Sequence, residues 1–196
     1  MLTDCTKRLP AVPALIRVVC VFFAILIMAA PVKNAIADAL KDAEVGEKAH
    51  QAGDLNKAIE LYTKAIDSGE LSRADLAGIY NNRGQARRIK GDLDAALSDH
   101  NRAIALNPKF LLAYNSRGLV WEKKGDLKKA LADFNKAIEL SPDYPSAYYN
   151  RSGLYERMGR LDEALADIKR FIKLVPDHPW GKIRLRDLSD QIKAKK

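Results

Sequence analysis

The sequence predicts an all-α protein: an α-solenoid of about four helix-turn-helix repeats with a C-terminal capping helix, preceded by an N-terminal signal peptide or membrane anchor. The string Gly-Asp-Leu-x-x-Ala begins at Gly53, Gly91 and Gly125, and its variant Gly-Arg-Leu-x-x-Ala begins at Gly159. These glycines are 38, 34 and 34 residues apart, a period typical of stacked helical units. With 47% hydrophobic and 30% charged residues, the chain is too polar for a multi-span membrane protein and too apolar for a disordered one.

The N-terminal segment, residues 1–37, has the layout of a secretory signal peptide. Basic residues precede an uninterrupted apolar run at 18–30, which would span only about 20 Å as a helix and so falls short of a membrane core. Small residues follow in Ala35-Ile36-Ala37, so we predict cleavage after Ala37 and a mature chain that begins at Asp38. The alternative is an uncleaved N-terminal anchor. We expect an exported protein of the bacterial periplasm, or an inner-membrane anchored one in the alternative case.

Cysteine and charge restrict the chemistry of the remaining chain. Cys5 and Cys20 both lie in the N-terminal segment, so no disulfide framework, thiol nucleophile or thiolate metal site is expected after it. The net charge of the whole chain is +8. Removal of residues 1–37 would lower the charge by three, to about +5. Basic residues alternate with acidic ones, so we expect no nucleic-acid partner.

The third unit illustrates how each repeat is built. Apolar residues from Ala113 to Trp121 have helical spacing, and Gly125 can end that helix by adopting a positive φ. Asp126 is a suitable N-cap for a second helix, which has a broad apolar face and ends before Pro142. Each unit is therefore predicted to be an antiparallel helical hairpin.

The period divides the chain into four repeats and a C-terminal segment. The predicted boundaries are repeat 1 with an insertion at 39–76, repeat 2 at 77–110, repeat 3 at 111–144, repeat 4 at 145–178, and a capping helix with a basic tail at 179–196. Four extra residues fall near 68–74, where Ser72–Asp75 reads as a capping box that starts the next helix a turn early. In the capping helix we expect Ile183, Leu185, Leu188 and Ile192 to face inward, and Lys182, Arg184, Arg186 and Asp190 to face water.

These features together resemble the tetratricopeptide repeat. In the third unit the resemblance is carried by the aromatic, small and proline positions Tyr114, Gly118, Trp121, Ala130, Phe134, Ala137 and Pro142. The first unit matches least, because Asp42 stands at the usual aromatic position and Glu70 at the proline position. The resemblance implies a stack of hairpins whose first helices line a concave face that binds proteins. Some members clamp a C-terminal carboxylate there, but of the corresponding residues only Asn82 fits.

No pattern in the sequence predicts catalysis. The three histidines, His50, His100 and His178, form no short metal-ligand pair, and no nucleophile elbow, phosphate loop or dinucleotide motif is present. His100 occupies the position of Tyr62, Phe134 and Ile168 in the other units, so we expect it to lie in the core. We predict neither enzyme activity nor a cofactor or metal.

The candidate binding residues lie on the first helices in register. Tyr-Asn-Asn-Arg, Tyr-Asn-Ser-Arg and Tyr-Tyr-Asn-Arg begin at residues 80, 114 and 148. The predicted peptide-binding groove contains Asn81, Asn82, Leu112, Asn115, Ser116, Tyr149 and Asn150. Amides both donate and accept hydrogen bonds, so they suit recognition of a peptide backbone. The alternative interpretation is that these residues only solvate the helices. For Arg83, Arg117 and Arg151 we predict a bracing role between repeats.

The predicted function is a non-catalytic protein-protein interaction module, or scaffold, that binds a peptide segment of a partner protein in the concave groove. The alternative is a structural assembly subunit of a membrane-associated or periplasmic complex that uses its ends or convex face. The expected partner is a protein or peptide. Membrane contact is expected only through the N-terminal segment, if that segment is uncleaved.

Overall fold

The computed structural model describes residues 34–195, and the described part of the chain contains nine helices and no strand. Helix α1 covers residues 34–51. The other helices are α2 Leu55–Asp67, α3 Arg73–Lys90, α4 Leu93–Leu106, α5 Leu111–Lys123, α6 Leu127–Leu140, α7 Pro145–Arg157, α8 Leu161–Leu174 and α9 Pro179–Ala194. None of these helices is long and apolar enough to cross a membrane.

The helices form stacked hairpins, as the repeat predicts. Helix α3 packs on α4, α5 on α6 and α7 on α8, and each hairpin contacts the next through α2 with α3, α4 with α5, and α6 with α7. The first helices of successive hairpins also touch, α3 with α5 and α5 with α7, whereas the second helices, α4 and α6, make at most marginal contact. Because the first helices lie closer together, the stack curves towards them and they form its concave face.

The repeated glycines end the first helices. Gly53, Gly91, Gly125 and Gly159 have φ angles of 83°, 100°, 83° and 74°, a left-handed conformation that other residues adopt only at a cost. The next helix begins two residues later in each case, and Asp126 caps α6 by accepting a hydrogen bond from the Lys129 amide at 3.1 Å. The predicted turn chemistry is confirmed.

Small residues let the two helices of a hairpin approach each other. A Cβ placed on Gly118 would lie 2.7 Å from Cε1 of Phe134, so the phenyl ring packs directly on the α5 backbone. The repeated alanines of the second helices, including Ala130, are fully buried. A larger side chain at such a position would have to displace the facing helix.

The insertion between the first two hairpins lengthens α3, as predicted. Ser72 accepts a hydrogen bond from the Asp75 amide at 3.1 Å, and its hydroxyl donates to the Asp75 carboxylate at 2.6 Å. Helix α3 therefore begins at Arg73 and has 18 residues, compared with 13 in α5 and 13 in α7.

The C-terminal helix α9 packs on α8, but its predicted orientation is partly wrong. Leu188 is fully buried, whereas Ile183 is 41% exposed. Arg184, which was expected in water, is half-buried and donates to the Glu156 carboxylate at 3.2 Å. The reason is the close contact of Gly181 with Phe171. This contact turns Leu185, Leu188 and Ile192 towards the stack, and Ile183 does not lie on that inward face.

The predicted signal peptide or anchor lies mainly outside the described residues. The predicted cleavage tripeptide Ala35-Ile36-Ala37 falls in the first turn of α1.

Candidate functional site

The predicted groove residues lie on the first helices, but at different depths. Asn81, Asn115 and Ser116 are buried, with 1%, 6% and 6% of their surfaces exposed. Asn82, Tyr149 and Asn150 are half-buried, and Leu112 is 40% exposed. The second group therefore forms the exposed concave surface, and the buried polar residues of the first group lie beneath it.

The asparagines of the predicted groove form an amide row along the first helices, and two of them bond to each other. The Asn150 side chain on α7 donates to the Asn115 carbonyl oxygen on α5 at 3.0 Å. One hairpin earlier, the buried carbonyl oxygen of Asn81 has no hydrogen-bond partner among the described residues. The amide row thus contributes to the stacking of the third and fourth hairpins as well as to the surface.

The three arginines of the recurring tetrapeptides brace neighbouring hairpins, and this prediction is confirmed. Arg117 binds both carboxylate oxygens of Asp133 in its own hairpin, at 2.9 and 2.7 Å, and reaches Asn101 of the preceding hairpin at 2.7 Å. The same arrangement is found at Arg83 with Asp99 and Thr63, and at Arg151 with Asp167 and Asn135. Paired hydrogen bonds of this kind are stronger and more directional than neutral ones.

The aspartates of these clusters were missed by the sequence analysis, although a signal was available. Asp99, Asp133 and Asp167 are 34 residues apart and lie 16 residues after their arginines. Their side chains are nearly buried. The hydrogen bonds to Asp133 raise the pKa of Arg117 above its usual value. The three arginines are therefore held in ion pairs that connect and stabilise the hairpins.

An aromatic pocket of about 480 Å³ opens where α7, α8 and α9 meet the amide pair. The Tyr149 and Phe171 rings are 5.1 Å apart, and the Phe171 and His178 rings are 5.0 Å apart with an edge-on orientation. Trp180 is 65% exposed at the pocket rim. The full lining is Asn115, Tyr144, Ser146, Tyr149, Asn150, Phe171, His178 and Trp180. Of these residues, the sequence analysis placed only Asn115, Tyr149 and Asn150 in the site.

A second pocket, of about 350 Å³, lies between α1 and α3 at the other end of the concave face. It combines apolar residues with carboxylates. Its lining is Leu40, Ala43, Glu44, Glu47, Tyr62, Ala74, Asp75, Gly78, Ile79 and Asn82. Only Asn82 belongs to the predicted groove, because the first unit departs most from the repeat pattern.

His100 and His178 both occupy structural positions. His100 is fully buried against Gly84, which confirms the predicted core position, and both ring nitrogens lack hydrogen-bond partners in residues 34–195. Burial, with the nearby charges of Arg88 and Arg117, lowers the pKa of His100 to about 3. His178 caps α9 by accepting from the Gly181 amide at 3.3 Å. No group of three or more possible metal ligands comes together within the described residues.

Comparison with known proteins adds sequence and structural relatives. Family models described as TPR repeat match residues 84–125 and 122–159, and the tetratricopeptide repeat model matches residues 145–178. Tetratricopeptide repeat protein 36 of Mus musculus is 45% identical over 62 residues, which cover 32% of this chain and 31% of that protein. The matched part is thus about a third of the relative's length.

Solved structures share the helical stack. The crystal structure of MamA has a TM-score of 0.62 and 29% identity, and the match covers 71% of this chain and 79% of MamA. The first TPR of Spaghetti (RPAP3), solved with the HSP90 peptide SRMEEVD bound, has a TM-score of 0.59 and 22% identity over 61% of this chain and 95% of that domain. At 22% identity, the similarity to the RPAP3 domain shows only a shared fold.

Proposed function

Because this chain belongs to the tetratricopeptide repeat family, we propose that it is an interaction module that binds a peptide segment of a partner protein along its concave face. Proteins of this family typically act as non-catalytic interaction modules.

The observation that carries the proposal is the aromatic pocket beside the Asn115–Asn150 amide pair. Exposed Trp180 and half-buried Tyr149 offer apolar ring surface, and burial of an apolar side chain between them would be favourable. The neighbouring amides can pair with the peptide backbone, whose groups would otherwise lose their hydrogen bonds to water. A peptide would thus be held by its backbone and by one apolar side chain.

The partner proposed here is not a chaperone tail. The RPAP3 domain was solved with the peptide SRMEEVD, in which three of the last four residues are acidic. In this chain the family's carboxylate-clamp positions hold Ala43, Glu47, Asn82, Leu112 and Ser116. These residues supply no cation for a terminal carboxylate, and Glu47 would repel it.

For location we propose export, with residues 1–37 as a cleaved signal peptide. The support is the short apolar run at 18–30, its basic flank and the small residues that follow. An uncleaved segment would instead place the same module at a membrane surface.

An assembly role through the ends of the stack is the second candidate. Its support is a wide pocket of about 820 Å³ on the exposed side of the first hairpin, lined in part by Ala35, Val45 and Leu61. Val45 is 42% exposed there. A copy of this chain or another subunit could cover that end.

Site-specific photo-crosslinking tests the proposal. The photoreactive residue p-benzoylphenylalanine replaces Leu112 on the concave face of the full-length chain in its native cells. The matched control places it at Ala132, which is exposed on the second helix of the same hairpin. We expect a crosslinked partner peptide from position 112 and none from 132. Crosslinks only from the control, or only between copies through a third probe at Val45, would contradict concave binding and favour the assembly role.

A further inference from the structure

The pocket between α1 and α3 has a charge that differs from that of the whole chain. The net charge of the protein is +8, yet the pocket lining contains the carboxylates of Glu44, Glu47 and Asp75 and no lysine or arginine. Apolar side chains, including Leu40 and Ile79, form most of the rest of the wall, together with Tyr62 and Asn82. Such a lining suits a ligand with an apolar stem and a cationic end.

The three carboxylates are not equivalent. Glu44 is paired with Lys48 at 2.6 Å, and Asp75 is hydrogen-bonded to Ser72 at 2.6 Å. The only contact to the Glu47 carboxylate within the described residues is a long one of 3.4 Å, donated by the neutral amide of Gln51. Within residues 34–195 neither Asp75 nor Glu47 is paired with a cation, and exposed Glu47 accepts only the longest of these hydrogen bonds.

One residue of the same lining has an unpartnered hydroxyl. Tyr62 lines the pocket and is only 1% exposed, and its hydroxyl has no hydrogen-bond partner among residues 34–195. Burial and the charge of Glu47 raise the pKa of Tyr62 from 10 to about 12, because both disfavour the phenolate. A buried hydroxyl without a partner is unfavourable, and an incoming N–H donor would relieve this.

We propose that this pocket binds a lysine or arginine side chain of the partner peptide. The inference rests on the proposed function and specifies the partner. The aliphatic stem lies along Leu40 and Ile79, the cation faces Glu47, and an N–H of the cation donates to the Tyr62 hydroxyl oxygen. The peptide then carries a basic residue towards α1 and an apolar residue towards the aromatic pocket near α9.

The test compares two probe peptides by NMR with the full-length protein. The probes are acetyl-Ala-Leu-Ala-Arg-Ala-Leu-Ala-amide and the same peptide with citrulline, which is neutral and nearly the same shape, in place of arginine. We expect the arginine peptide to shift the amide signals of Ala43, Gly78 and Ile79 and to bind at least about fivefold more tightly than the citrulline peptide.

Two variants and one control locate the effect. Glu47→Gln should make the two peptides bind equally. Tyr62→Phe should weaken binding of the arginine peptide while the melting temperature stays the same or rises, because an unsatisfied hydroxyl is removed. Glu60→Gln changes the charge by the same amount at an exposed position of α2 in the same hairpin and should leave the preference intact.

Several outcomes overturn the inference. They are equal binding of the two peptides to the unmodified protein, no shift of the pocket signals by the arginine peptide at millimolar concentration, and a preference that survives Glu47→Gln. The proposed function fails separately, through the absence of crosslinks from position 112. If both peptides shift amide signals on the concave face to the same extent, only the proposal of a basic-residue pocket is overturned.

Discussion

At the residue scale, His100 stands where the neighbouring hairpins carry Tyr62, Phe134 and Ile168. Its ring packs on Gly84 as the Phe134 ring packs on Gly118, so the shape of the core is the same in both hairpins. The difference is chemical, because a neutral imidazole brings one donor and one acceptor into a place that offers no partner. We therefore expect the core of the second hairpin to contribute less to stability than that of the third.

The buried histidine predicts a specific pH dependence. The pKa of His100 is about 3 in the folded chain, compared with an ordinary value of 6.5. Below pH 6.5 the unfolded chain binds a proton that the folded chain does not, so the free energy of unfolding falls as the pH drops from 6.5 towards 3. At pH 4.5 we expect a loss of about 2–3 kcal/mol from this group, measured by urea unfolding.

His100→Phe should remove that part of the acid sensitivity and stabilise the protein at pH 7 by about 1–3 kcal/mol, since two unpaired polar atoms leave the core. The matched variant is Phe134→His, which should destabilise the third hairpin and add acid sensitivity there. If His100→Phe unfolds with the unchanged pH profile, the imidazole is not the group responsible.

The bracing arginines give a second residue-scale prediction. Arg117→Lys keeps the charge but loses the paired hydrogen bonds to Asp133 and the third bond to Asn101, so we expect a loss of about 1–3 kcal/mol. The control is Arg157→Lys, whose ion pair with Glu122 is half exposed and should contribute little. Chemical denaturation measures both, and equal effects would mean that Arg117 does not brace the hairpins.

At the element scale, the contact between the two helices of a hairpin depends on single glycines. Gly118→Ala places a Cβ 2.7 Å from the Phe134 ring, so α5 and α6 must separate or the ring must move. We expect a loss of about 1–3 kcal/mol in unfolding free energy. Thermal and urea unfolding of the variant measure this loss.

Gly78→Ala is the control for that variant, because the added Cβ meets nothing within 4 Å on α3. Alanine favours a helix over glycine, so this variant should gain about 0.5–1 kcal/mol. A loss in both variants, or a gain in both, would contradict the close packing of α5 on α6.

At the scale of the whole molecule, the concave face carries a stacking contact, the Asn150–Asn115 hydrogen bond, and it is also the face on which we propose that the partner binds. Asn82→Ala together with Asn150→Ala should weaken binding of the crosslinked partner by about 1–3 kcal/mol. Because Asn150 also bonds to Asn115, its replacement alone should lower the melting temperature slightly, whereas Asn82→Ala should not. Isothermal titration and thermal unfolding of the single and double variants separate the two contributions.

Asn56→Ala, at an exposed position of α2, is the control and should change neither binding nor melting. If the double variant binds the partner as tightly as the unmodified chain, the amide row serves only the stacking of the hairpins.

The processed form of the molecule can be checked directly. If Ala35-Ile36-Ala37 is a cleavage site, N-terminal sequencing of the protein from its native cells should begin at Asp38. Cleavage there would retain the buried Ala39 of the first core and leave an acidic residue at the start of α1, where it favours the helix. Recovery of peptides from the 18–30 run in the purified protein would instead indicate a membrane-anchored form.

The sequence by itself determined the hairpins, the turns between their helices and the buried position of His100, because these depend on local rules. Apolar residues at helical spacing, glycines at positive φ and the Ser72–Asp75 capping box act over a few residues. The same period placed Asn82, Asn150 and the arginines in register, since equivalent residues of stacked repeats lie in rows. The repeat period does not determine which side chain each of these residues bonds to.

Only the tertiary structure decided the contacts between residues that the repeat does not relate. Phe171, His178 and Trp180 come from α8, the following loop and α9, and they form the aromatic pocket with Tyr149 because Gly181 seats α9 against Phe171. Tyr62 and Glu47 meet in the least regular repeat. Such contacts depend on the rotation and crossing of packed helices, which are set by side-chain packing across the whole interface and leave no period in the sequence.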